Sequence, residues 1–158
     1  MEFFQGFLLP VFFAFMASGA FAVIYNIHGF GVLICAFGGA LGWFSYLLSA
    51  PLLQSDIAQT FVAAVVISVY AEIMARVRKC PVTGYLLVAI FPLVPGGGIF
   101  YTMEYAMEGD MDTFLSSFIH TLGVAGAIAV GVLLVSSAVR MWTTFRRQNP
   151  SSGKEGRP

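Results

Sequence analysis

The sequence predicts an all-α integral membrane protein with five transmembrane helices, the fourth of them broken. Three observations carry that expectation. Of 158 residues, 58% are hydrophobic and only 10% are charged, with a mean hydropathy of +0.84. A soluble globular domain carries about 25% charged residues, and a chain this size cannot hide so much apolar surface from water. The apolar residues fall into segments of the ~20 residues that cross a hydrocarbon core. Finally, FPLVPGGGIF at residues 91–100 sets two prolines and three glycines inside one such segment.

The first span is expected over residues 3–23. A signal peptide would place basic residues ahead of a short apolar stretch. None precede this one, and the run is long enough to span, so a retained helix is expected. Residues 31–48 form the second span, 57–75 the third, 82–107 the interrupted fourth and 114–139 the fifth. Together they make one membrane domain over 1–145. The polar residues 146–158, RRQNPSSGKEGRP, read as a disordered cytoplasmic tail.

Charge sets the orientation. Lys and Arg favour the cytoplasmic side of a membrane. All eight lie in the third connection (Arg76, Arg78, Lys79) or at and beyond the last span (Arg140, Arg146, Arg147, Lys154, Arg157). Five spans put those two places on one face. Glu2, Asp56, Glu104, Glu108, Asp110 and Asp112 fall on the other. The N-terminus is therefore expected outside and the C-terminus in the cytoplasm.

Small residues at four-residue spacing let membrane helices approach closely. Ala14, Ser18 and Ala22 form such a ladder, as do Gly38 and Gly42, Ala64 and Ser68, and Gly123, Ala127 and Gly131. They predict a compact bundle, or one that packs on another membrane protein.

The break needs a reason. Pro92 and Pro95 each remove a backbone donor and clash with the preceding turn, and Gly96, Gly97 and Gly98 add backbone freedom. Roughly nine residues on each side would place the break near the midplane, with the second half-helix starting near Gly98. Unpaired backbone groups at that depth are tolerated only inside protein or beside a wet cavity. A simple proline kink is the plainer reading, but two prolines and three glycines exceed what a kink needs. Transporters bind ions and anionic groups at such half-helix ends. Pro92, Pro95, Gly96, Gly97 and Gly98 are therefore candidate substrate-binding residues. Tyr101 and Thr102 follow directly, with hydroxyls to offer.

Coupling or gating candidates lie elsewhere. Glu72 is one turn inside the third span, where a protonatable acid is a functional candidate. It is equally placed for an i,i+4 pair with Arg76, which could also attract anions from the cytoplasm. Asn26 and His28 sit in the first connection, as a possible inner gate or as ordinary loop residues. His120, beside Thr121, reads as a hydrogen-bonded packing histidine or the wall of a polar cavity. The acids near residues 104–112 form an outer rim, for cations or simply for solvent.

Other classes are excluded. The formal net charge is zero and there is no basic tract for nucleic acid. Cys35 and Cys80 show no metal-ligand spacing, and the two histidines are far apart, so neither a metal nor another cofactor is expected. No nucleophile elbow or HExxH motif supports an enzyme.

Residues 70–110, YAEIMARVRKCPVTGYLLVAIFPLVPGGGIFYTMEYAMEGD, resemble the small membrane subunit of the threonine/serine exporter family. The likeness rests on a Glu and an Arg at a helix end, a Pro after a short basic loop, and the PLVPGGGIFYTM block. Tyr25-Asn26-Ile27-His28-Gly29 fits as well, and the similarity extends over about residues 5–140. The resemblance implies a bacterial inner-membrane exporter of a small carboxylate-bearing metabolite, threonine, serine or a dicarboxylate such as succinate. It also implies a larger partner subunit with a soluble domain. A five-helix chain can be half of a five-plus-five inverted repeat. A non-transporting scaffold subunit and a homo-oligomeric channel are the alternatives.

Overall fold

The computed structural model describes residues 4–148, all of them in helices or short connections. Glu2 and the tail beyond residue 148 lie outside the described residues. After a π-helical turn (Phe4–Leu8) come α1 (Leu9–Ile24), α2 (Phe30–Ser49), α3 (Asp56–Arg78), α4 (Val82–Ile90), α5 (Gly96–Glu108) and α6 (Met111–Gln148). Among the described residues, four helices are long and apolar enough to cross a membrane: the first two, α3 and α6. The α4–α5 pair is bent by 53° and completes a fifth crossing if taken as one span. The protein is thus an all-α, multi-pass membrane protein.

The expected ladders become the interfaces. Ala14, Ser18 and Ala22 are the buried residues of α1, and Gly38, Gly42, Ala64, Ser68, Ala127 and Gly131 are buried too. α1 packs on α2, α2 on α3, α3 on α6, and α4 lies over α2 and α3. One apolar cluster joins Ala22, Cys35, Ala71, Ala75, Tyr85 and Val88. A second joins Ala63, Ala64, Ile67, Ala89, Ile90 and Leu93. The Tyr70 hydroxyl donates to the Ile34 carbonyl at 3.0 Å and pins α3 to α2.

Register fixes where the break lies in the bundle. A Cβ on Gly123 would meet Ile57, and one on Gly131 would meet Ala64, so α3 and α6 run parallel. Leu93 joins the apolar cluster of Ala63 and Ile67. Pro92 to Gly98 share a cavity with Asp56 and Thr60, so the break lies beside the first turns of α3. The halves are unequal, nine residues in α4 and thirteen in α5. Instead of continuing along α2 and α3, α5 bends away and packs on α6.

α6 is the second departure. It spans 38 residues, about 57 Å, well beyond a ~30 Å hydrocarbon core. The α3 register puts the start of α6 about 16 Å beyond the start of α3. The α5–α6 hairpin thus projects past the rest of the bundle. Thr102 ties it together, donating to the Gly98 carbonyl at 2.6 Å and lying 2.9 Å from the Ser117 hydroxyl.

Candidate functional site

The break is built by prolines, and its glycines serve another purpose. Phe91–Leu93 form a single 3₁₀ turn containing Pro92. Val94 is extended, and the Gly96 N–H donates back to the Val94 carbonyl at 2.7 Å across Pro95. With φ −75° and ψ 59°, Pro95 is the centre of an inverse γ-turn. α5 then starts at Gly96, two residues before the expected Gly98, because nothing in the glycine run needs a left-handed backbone. The first i,i−4 bond of the turn runs from the Ile99 N–H to the Pro95 carbonyl. The preceding N–H groups, among them those of Gly97 and Gly98, form the positive end of α5.

A partly open cavity of about 230 Å³ lies against this end. Its volume equals roughly seven or eight water molecules, the scale of a small amino acid or short dicarboxylate. Pro92 to Gly98 form one wall, and Trp43 and Tyr46 of α2, Asp56 and Thr60 of α3, and His120 and Thr121 of α6 close the rest. Gly96 and Gly97 have open space where a side chain would stand. At Gly98 a Cβ would come within 2.7 Å of the Thr121 Oγ1, so this glycine permits the close approach of α5 and α6.

Charge enters through Asp56. The Tyr46 hydroxyl donates to its Oδ1, and His120 Nε2 lies 3.4 Å from its Oδ2. Three helices thus converge on one carboxylate, which lines the same cavity as the positive end of α5. The Trp43 Nε1, also in the wall, is buried with no hydrogen-bond partner among the described residues. The cavity combines a helix N-terminus suited to a carboxylate with one acidic side chain, Asp56.

The seven expected substrate-binding residues divide. Pro92, Pro95, Gly96, Gly97 and Gly98 all line the cavity. Thr102 is buried but turned to Gly98 and Ser117 within the hairpin. Tyr101 is 54% exposed, packs edge-on to Phe100, and lies outside the lining.

The four coupling or gating candidates lie away from it. Glu72 and Arg76 pair at 3.8 Å, about 24 Å along α3 from Asp56. Asn26 takes a left-handed φ of 59° in the turn after α1, and His28 is exposed in the same connection. Neither lines the cavity.

Tyr46, Trp43, Thr60 and Asp56 were not singled out from the sequence as site residues, and His120 was read mainly as packing. A signal existed: Asp56 at the start of one span and His120 near the same end of another fall on one face. Among the described residues, no group of three or more His, Cys, Asp or Glu side chains could hold a metal ion.

A sequence model of the family described as "Threonine/Serine exporter, ThrE" matches residues 10–138, most of the chain. No curated protein matches it. Nor does any solved structure. The match runs through α1 to α6 and includes every residue of the cavity, and on that ground the chain belongs to the threonine/serine exporter family.

Proposed function

We propose that this chain is the small subunit of a bacterial inner-membrane secondary exporter of a small carboxylate-bearing metabolite, and that it works with a larger family subunit carrying a soluble domain. Family membership supports an exporter-type transporter. The observation that carries the finer reading is the cavity at the helix break, where the N-terminal N–H groups of α5 meet open space left by Gly96 and Gly97. Such an end favours an anionic group without a side-chain cation. The cargo carboxylate would seat there, and alternating access would rock the bundle against its partner around the break. The basic residues of the α3–α4 connection and the end of α6 favour a cytoplasmic C-terminus and an external N-terminus.

Efflux from preloaded cells lacking their own exporters tests this. The chain is expressed alone, with a larger family subunit, and with that subunit plus Gly97→Leu, and membrane levels are checked. Labelled threonine and labelled succinate are followed in parallel. The expected result is efflux that needs both chains and falls at least tenfold with Gly97→Leu. Efflux by the chain alone would replace the half-transporter with a homo-oligomer. Efflux that ignores the glycine change would make this chain a scaffold.

A further inference from the structure

Asp56 supplies the only formal charge in the cavity wall apart from any that His120 takes up. Its position is built rather than incidental. It stands in the first turn of α3, where its own helix favours an anion. Tyr46 reaches one carboxylate oxygen from α2 and His120 faces the other from α6. Those two are the titratable groups that the neighbouring helices bring to the cavity. The side chain nevertheless remains 41% exposed. An ionised carboxylate offers about four acceptor sites, so two partners leave room for a third.

The positive end of α5 lines the same cavity, with open space at Gly96 and Gly97. The cavity therefore has two poles. We infer that Asp56 is the specificity-determining residue of the cavity: it accepts the ammonium group of a zwitterionic amino acid whose carboxylate meets α5, and it turns away a dicarboxylate. A dicarboxylate seated at α5 brings its second anion toward Asp56, and like charges in a small, partly desolvated space repel strongly. Tyr46 and His120 are positioning residues that hold the carboxylate toward the cavity. The inference rests on the exporter reading above and narrows its cargo.

The test uses the full chain, with the larger family subunit, in preloaded cells lacking their own exporters. Initial efflux of labelled threonine and labelled succinate is measured at matched membrane levels. Wild type is expected to prefer threonine at least tenfold. Asp56→Asn should lower threonine efflux at least tenfold while succinate efflux holds or rises. Asp56→Glu should keep the preference, and Tyr46→Phe should weaken it several-fold through a higher KM for threonine.

An unchanged threonine-to-succinate ratio in Asp56→Asn overturns the inference, as does an equal fall in both. If Asp56→Asn does not accumulate, the Glu and Phe variants decide: an unchanged ratio in Tyr46→Phe, or a lost preference in Asp56→Glu, overturns it. A wild type that prefers succinate overturns this inference but leaves the exporter reading standing. Efflux of neither compound removes both.

Discussion

A Cβ at Gly98 would come within 2.7 Å of the Thr121 hydroxyl, whereas one at Gly97 would meet nothing closer than the Tyr101 ring at 4.0 Å. Adjacent glycines therefore predict separable phenotypes. Gly98→Ala should loosen the α5–α6 contact and lower stability by about 1–3 kcal/mol, seen as a fall in Tm of the detergent-purified chain. Gly97→Leu should leave Tm almost unchanged and suppress efflux, because it puts a bulky residue at the wall of the cavity. Equal losses of Tm would remove that distinction. Glu72 gives a third outcome. Its i,i+4 pair with Arg76 implies a stability change within about 0.5 kcal/mol for Glu72→Gln. If Glu72 couples export to protons, the same variant loses its dependence on the proton gradient; unchanged coupling takes Glu72 out of the mechanism.

At the scale of elements, the α5–α6 hairpin depends on its turn. Gly109 takes the left-handed conformation that ends α5, at φ 79°. Asp110 caps the next helix, its Oδ1 accepting the Thr113 N–H at 3.2 Å. Hydrogen bonds from the Thr113 side chain and backbone hold the Asp110 carboxyl below its ordinary pKa. A depressed folded-state pKa means that the cap contributes above the unfolded pKa and is lost as pH falls through the folded one. Amide protection over residues 111–114, taken relative to the intrinsic exchange rate at each pH, should fall on acidification through that range. In Asp110→Ala it should be low already and no longer follow this titration. Persistence of the step in the variant would assign it to another group.

The bend between α4 and α5 was legible from Pro92 and Pro95, since neither can donate a helical hydrogen bond. Its neighbours were not. Which stretch of another helix the break lies beside is a tertiary fact: Pro92 to Gly98 share a cavity with Asp56 and Thr60 of α3. Likewise, the apolar run of the fifth span gave its core, while α6 runs on at both ends through residues whose polarity marked them as connections.

For the whole molecule, the native cysteines provide a topology test. Cys80 is exposed in the basic α3–α4 connection and Cys35 is buried among α1, α3 and α4 neighbours. With that connection cytoplasmic, a membrane-impermeant maleimide should label Cys80 in inside-out vesicles and not in intact cells, with Cys35 silent in both. Labelling from outside would invert the orientation and turn the acidic hairpin toward the cytoplasm. In the expected orientation, the hairpin carries Glu104, Glu108, Asp110 and Asp112 on the outer side, beyond the start of α3.

Composition and periodicity by themselves determined the membrane class, the apolar segments that make four to five candidate crossings, and the helix-packing ladders. Those features follow from chain-local quantities: apolar length against bilayer thickness, small residues at helical spacing, and prolines that cannot continue a helix. Tyr46, Asp56 and His120 are spread over three helices, and no local pattern relates them. Only the packing of α2, α3 and α6 decided that they meet beside the N-terminus of α5. A charge acquires a partner and a cavity from its neighbours in space, and those are set by the register of whole helices.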